Sequence, residues 1–239
     1  MIAIGTIRSP YGEKFAVPRQ PGLVSEALGY CELSGEFGVP ETVRGLEQFS
    51  HIWLLFQFHQ TIEQGWQPLV RPPRLGGNKK VGVFASRSTF RPNGIGMSLV
   101  ELINVESLKR NGQPLNRLTV KGLDLVDGTP VIDIKPYLPY AEAVVEAQAG
   151  YAAQKPSNTL KVSWTQHAID ALQRHNNSDV DDLPAMNTKI LIDQVLSQDP
   201  RPAYQAGQLS DRTYGVKLAN TDVKFRFPAP EVVEVISVE

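Results

Sequence analysis

The sequence predicts a mainly β protein: an N-terminal antiparallel β-barrel over residues 1–150, followed by a smaller C-terminal α+β domain over 155–239. Three observations carry this reading. The 19 Gly and 18 Pro leave few long intervals for helices in the first two-thirds, and those intervals are rich in β-branched and aromatic residues at strand length. No helical pattern alternates with these strands, which favours a closed or sandwich-like antiparallel sheet over a doubly wound one. Near residue 141 the texture changes to the Ala-rich "AEAVVEAQAGYAAQKPSNT", read as a connecting segment.

Taken in order, strands are expected in "IAIGTI" (2–7), "YCELSGEF" (30–37), "HIWLLFQFH" (51–59) and "KVGVFAS" (80–86). Further strands follow in "GMSLVELINVESL" (96–108), "LNRLTVKGLDLV" (115–126) and "PVIDIKPYL" (130–138). Asn111-Gly112 is the strongest short hairpin signal, set between two of them, and Asp127-Gly128 supplies a second turn. After the connector, "LKVSWTQHAIDALQRHNN" begins as a strand and continues as a helix. A second helix from Met186 to Leu196 repeats Ile190, Leu191 and Val195 at the helical period, and Pro200 and Pro202 stop it. "TYGVKLANTDVKFRF" and "EVVEVISVE" complete the chain as strands. No internal repeat is present.

Composition narrows the function. With 239 residues, 41% hydrophobic and 21% charged, the chain is long enough for a sizeable core. No stretch approaches the roughly 20 apolar residues of a membrane span, and the start lacks the pattern of a secretory leader. A cytoplasmic protein with no membrane partner is expected. Cys31 is alone, so it forms no internal disulfide and builds no thiolate metal site, and it reads as a small buried apolar residue. A net charge of -1 excludes a uniformly basic nucleic-acid coat and leaves room for a local patch.

Several chemistries fall by elimination. There is no phosphate-binding loop ending in Lys-Ser or Lys-Thr, and Gly94 and Gly96 do not form the spaced triplet of a dinucleotide fold. His51 and His59 share a face if their strand is uninterrupted. With no carboxylate or cysteine cluster beside them they make a poor metal site, and no metal is expected. Seryl chemistry lacks its strand-to-helix elbow. What remains is a basic run, Arg71, Arg74, Lys79, Lys80, Arg87 and Arg91, with no acidic residue between its ends. Guanidinium forks suit phosphate or carboxylate recognition. A solvated loop with its arginines stacked on Phe84 and Phe90 is the plainer alternative. In "RPPRLGGN" (71–78) rigid prolines precede two glycines that let the backbone approach a ligand.

Six ordered segments carry a resemblance: "KFAVPRQPGL" (14–23), "RGLEQFSHIWLLFQFHQ" (44–60), "RPPRLGGN", "GVFASRSTFRPNGIGMS" (82–98), "LDLVDGTPVIDIKPYLPY" (123–140) and "QDPRPAY" (198–204). Over nearly its whole length the chain resembles the TsaA/TrmO family. That resemblance implies a β-barrel tRNA methyltransferase that uses S-adenosylmethionine to methylate N6 of N6-threonylcarbamoyladenosine, beside the anticodon of threonine tRNA, with its site completed across a homodimer. The family usually reads Arg-Pro-Asn-Pro-Ile-Gly where this sequence has "RPNGIG"; Gly94 replaces proline, which is expected to loosen the loop.

Carried over motif by motif, the resemblance implies a cofactor pocket lined by Pro18, Arg19, Gln20, His59, Gln60, Arg87, Met97, Asp124, Leu125, Val126 and Asp127. It makes Asp133, Lys135 and Tyr137 the candidate catalytic wall. Arg71, Arg74, Lys79, Lys80, Arg91, Asn93, Arg201 and Tyr204 are the candidates for holding the RNA, whose unpaired anticodon loop can splay its bases without melting a duplex. Two rival readings stand beside this one: a non-enzymatic RNA-binding module, and a hydrolase that would need Asp124 and Asp127 to converge on one pocket.

Overall fold

The computed structural model describes residues 1–155, 160–175, 183–201 and 210–239. Along the chain, β1 (Gly5–Arg8), β2 (Leu28–Ser34) and β3 (His51–Gln57) precede two-residue strands β4 (Leu69–Val70) and β5 (Val81–Gly82). Then come β6 (Ile95–Arg110), β7 (Gln113–Lys121) and β8 (Pro130–Pro136). A short helix α1 (Pro139–Glu142) leads to β9 (Lys161–Trp164), α2 (Gln166–His175), α3 (Thr188–Leu196), β10 (Ser210–Leu218), β11 (Thr221–Ala229) and β12 (Val232–Val238). The order β1-β2-β7-β6-β3-β8 closes into an antiparallel barrel, and β10-β11-β12-β9 forms a separate sheet in which β9 joins β12 in parallel. Closure leaves the barrel no free edge to pair with another chain.

Alternation builds the barrel. In β3, Ile52, Leu54 and Phe56 are buried while Trp53 and Leu55 are turned outward, and Ile7, Cys31, Val100, Leu118 and Val131 fill the same interior. Burial, with the charge of Glu32 behind it, pushes the Cys31 thiol up to about 12, so it packs as an apolar group. Asn111 and Gly112 both take positive φ, 53° and 80°, as a two-residue hairpin turn between β6 and β7 requires. Outside the barrel Glu32 is nearly buried beneath Arg110 and Arg117, which donate to it at 2.7–3.0 Å. Burial works against that carboxylate, yet the hydrogen bonds of the two arginines hold it below the usual range.

Three expected strands differ. "KVGVFAS" yields only β5 and a single 3-10 turn, Val83–Ala85, because Arg91 donates to the carbonyls of Val83 and Ser86 and takes acceptors a neighbouring strand would use. "LDLV" leaves the sheet at Gly122, whose N–H goes to Ala27 and whose carbonyl accepts from Gly22. β3 stops at Gln57 and the amide of His59 turns back to the Gln57 carbonyl at 2.8 Å, so His51 and His59 do not share one strand face. Among the described residues no helix is long and apolar enough to cross a membrane.

Position 94 corrects the expectation of a loosened loop. Gly94 has φ +60°, its N–H donates to Arg91 at 3.1 Å, and its carbonyl accepts from Phe58 at 2.7 Å. Proline is locked near φ −65° and has no N–H, so glycine selects a different, hydrogen-bonded turn. Gly94→Pro is expected to lower unfolding stability by about 3 kcal/mol or more, and Gly94→Ala by about 1–2 kcal/mol, measured by urea denaturation. A proline variant as stable as the parent would refute this account of the turn.

Candidate functional site

Where β3 ends and β6 begins, five segments enclose a cavity of about 490 Å³. They are the loop 14–20, the end of β3 with the turn after it, the loop 86–91, the start of β6, and the connection between β7 and β8. Pro18, Arg19, Gln20, His59, Gln60, Arg87, Met97, Asp124, Leu125 and Val126 all line it. Its volume falls within the ~300–1,000 Å³ usual for small-molecule sites.

Of the charged residues in the wall, Lys14, Arg19, Arg87, Arg91 and Asp124, Arg87 and Asp124 have the most defined surroundings. Arg87 donates through Nη1 to Gln20 Oε1 at 2.8 Å, which fixes the guanidinium and keeps further donors for an anionic ligand. Asp124 accepts from the Ser98 hydroxyl at 2.5 Å. Burial lifts its carboxyl to about 6, against the opposing pull of Ser98 and the positive charge of Arg87. Behind it Tyr11 is fully buried and, among the described residues, its hydroxyl is the one buried side-chain polar atom without a hydrogen-bond partner. Burial first, and then the Asp124 charge, raise the Tyr11 phenol.

Asp127 is absent from this cavity. Its Oδ1 accepts from the Ser9 amide at 3.0 Å and its Oδ2 lies 3.7 Å from Arg8, beside a different depression at the junction with the C-terminal sheet. The turn at Asp127-Gly128 points neighbouring side chains apart, so Asp124 and Asp127 do not form the carboxylate pair a hydrolase would need.

A wider depression of about 1200 Å³ adjoins the cavity and shares Arg19, Gln20, Ser86 and Arg87 with it. Arg71, Arg74 and Lys80 line it; Lys79 and Asn93 are exposed outside both hollows. Arg91 borders the first cavity, but it is engaged by the carbonyls of Val83 and Ser86 and serves as a brace of its own loop. Arg74 is likewise turned toward the connector, donating to the carbonyls of Ala152 and Gln154.

Asp133, Lys135 and Tyr137 lie elsewhere, on the outer face of the barrel. Asp133 pairs in register with Leu55, and Lys135 with Trp53; both partners point away from the core. Asp133 and Lys135 approach to 3.6 Å in the open, and Tyr137 stands edge-on to His51 and Trp53. Met97, beside Leu55 on the same face, also forms part of the cavity wall. Arg201 is corrected outright: its side chain is 1% exposed, paired with Asp199 at 2.8 Å, and its guanidinium lies 3.6 Å from the Phe227 ring centroid. It is therefore a buried structural group. Tyr204 lies outside the described residues.

Sequence reasoning missed Lys14, Phe56, Phe58, Ser86, Thr89 and Ser98 in the cavity wall. Ser98 left a usable signal, since it is a polar residue on the inward side of a strand whose next inward positions are Val100 and Leu102. The loop 14–27 is also supported from the C-terminal unit: Gln194 of α3 accepts from the Glu26 amide at 3.0 Å and donates to Ser25 at 3.1 Å, while Glu26 accepts from the amide of Asn187.

A family model described as tRNA-methyltransferase O N-terminal domain matches residues 6–143, and one described as TrmO C-terminal domain matches 157–239. The chain is 52% identical over 223 residues to the tRNA (adenine(37)-N6)-methyltransferase of Escherichia coli (strain K12), covering 93% of this chain and 91% of that one. It is 48% identical over 235 residues to RcsF of Pseudomonas aeruginosa, a protein named for S-adenosylmethionine-dependent methyl transfer, covering 98% and 95%. Its fold is similar to the crystal structure of TrmO from Pseudomonas aeruginosa, with a TM-score of 0.77, 41% identity, and 99% and 96% of the two chains covered. Family models matched in order along both parts of the chain, and a solved structure superposed end to end, establish that the chain belongs to the TrmO family, tRNA-methyltransferase O.

Proposed function

We propose that this protein is an S-adenosylmethionine-dependent tRNA methyltransferase acting on N6 of adenine 37, and that its acceptor is N6-threonylcarbamoyladenosine in threonine tRNA. One observation carries the reading within the family: residues from five separated segments converge on a cavity sized for a nucleoside cofactor, beside a basic depression. S-adenosylmethionine supplies a methyl group already activated on a sulfonium. The chain's own task is binding and alignment, which supply much of the acceleration in such a transfer. Arg87, fixed by Gln20, suits the cofactor's carboxylate, and Asp124 suits its ribose hydroxyls or its positive charge. Labelled methyl from S-adenosylmethionine is expected on threonine tRNA and not on the same tRNA lacking its threonylcarbamoyl group. Equal labelling of both would sink the acceptor assignment, and labelling of neither would sink the reaction.

The position of Asp133, Lys135 and Tyr137 supports a homodimer that completes the site. They share the outer face of β6, β3 and β8 with Met97, Leu99, Leu55 and Trp53, next to the exposed Tyr140, Val144 and Val145. A contiguous apolar face of this kind marks an interaction surface. A second copy seated there lies against Met97, at the cavity wall, and can bring its β8 carboxylate near an acceptor whose nitrogen must lose a proton. Arg87→Ala and Asp133→Asn proteins, each inactive alone, are expected to regain about a quarter of parental activity after mixing and subunit exchange. No recovery from a mixture shown to contain heterodimers would place both residues in one subunit's site.

Asp124 gives a pH prediction. An acid whose folded value is raised to about 6 is more readily protonated folded than unfolded, so its burial costs nothing at low pH and costs fully above about 6. Asp124→Asn is therefore expected to raise the melting temperature at pH 8 and leave it little changed at pH 4. The same variant loses the fall in cofactor affinity that the parent shows as pH drops through about 6. A cofactor affinity that does not change with pH between 5 and 8 in the parent would remove Asp124 from the binding role.

A further inference from the structure

The wider depression contains an aromatic residue that folding does not explain. Phe84 is 76% exposed, yet the backbone on both sides of it is pinned. The amide of Val83 donates to the Pro68 carbonyl at 3.0 Å and that of Ser86 to Val83 at 3.2 Å. Tyr151 donates its hydroxyl to the Ala85 carbonyl at 3.1 Å, and Arg91 grips the carbonyls of Val83 and Ser86. A hydrophobic ring held out rigidly by contacts from three other segments is presented to solvent, not frayed into it. The Arg91 guanidinium lies over one side of the ring, 5.8 Å from its centroid, which leaves the opposite side for a flat partner.

The surroundings select that partner. Every charged residue lining the depression is a cation: Arg19, Arg71, Arg74, Lys80, Arg87 and Lys155. An exposed ring among cations matches single-stranded nucleic acid, which offers a π-face and a phosphate at each step. At about 1200 Å³ the hollow exceeds a single small-molecule site, and its shared wall with the cavity makes the two continuous. We propose that Phe84 is a stacking platform for an unpaired base adjacent in the RNA loop to the base that receives the methyl group, with Tyr151 and Lys155 of the connector forming the far wall. This rests on the reading of the chain as a tRNA methyltransferase.

The test uses the full chain and four variants. Phe84→Ala and Phe84→Leu are expected to raise the KM for tRNA about tenfold, with S-adenosylmethionine affinity unchanged, while Phe84→Tyr and Phe84→Trp remain near the parent. An anticodon hairpin carrying 2-aminopurine next to the acceptor position, on each side in turn, should be quenched by the parent and the aromatic variants and not by Ala or Leu. If the parent methylates tRNA but the Leu variant matches it in KM and quenching, the platform alone is wrong. A parent that neither binds nor methylates tRNA would defeat the underlying reading, and the platform with it.

Discussion

The barrel closes along a short seam, and the site depends on that seam. β1 and β8 share only two register pairs, Gly5 with Val131 and Thr6 with Pro130, and Pro130 has no N–H to give. The chain compensates on either side. Ile4 donates to Val131 at 2.8 Å, Ile7 to Thr129 at 2.9 Å and Gly128 to Ile7 at 2.9 Å. Ser9 adds two bonds, from its amide to Asp127 and from its hydroxyl to the Leu125 carbonyl at 2.7 Å. The segment 124–129 is thus wall of the cavity and latch of the barrel at once. The turn within it divides the work: Asp124 faces the cavity, and Asp127 holds the seam.

The C-terminal unit continues the same logic. It joins the barrel at Tyr11, which bridges Leu218, through bonds from Ala219 to Pro10 at 2.8 Å and from Gly12 to Lys217 at 3.3 Å. These bracket the residue that packs behind Asp124. On its other side α3 clasps Ser25 and Glu26, and Gln198 donates to the Leu23 carbonyl. That loop runs directly back to Gln20, the partner of Arg87. Arg87 and Asp124 are therefore backed, within a few residues, by contacts to the second unit, which gives the smaller sheet and its helices a part in site geometry.

Local pattern made much of this legible. Period-two alternation found the barrel strands, and Asn111-Gly112 found the hairpin, because each depends on the chemistry of adjacent residues. Family resemblance gathered the cavity-lining segments, which no spacing rule could connect. The failures share one cause: a side chain's partner was not visible in sequence. Arg91 and Arg201 both read as cations for holding RNA, yet one braces its own loop by donating through Nη1 to two backbone carbonyls and the other is buried against Asp199, two residues away, and Phe227. "KVGVFAS" alternates like a strand and lacks neighbours to pair with. Asp127 sat in the right motif, and only the turn after Val126 shows that it faces away.

Two features in and behind the cavity work against stability. A largely buried carboxylate is held by one hydroxyl, one backbone hydrogen bond and the attraction of one arginine, and among the described residues the buried Tyr11 phenol behind it has no hydrogen-bond partner. Neither is required to close the barrel, since the seam bonds run through Ser9, Asp127 and backbone. Burying such groups costs free energy unless they are satisfied, and a folded chain concentrates such cost where binding demands it. A cationic ligand would offset the first of these, because it pulls Asp124 toward its ionised form. The cost of burying that carboxylate is thus the counterpart of selectivity for positive charge, and a neutral ligand of the same shape would leave it in place.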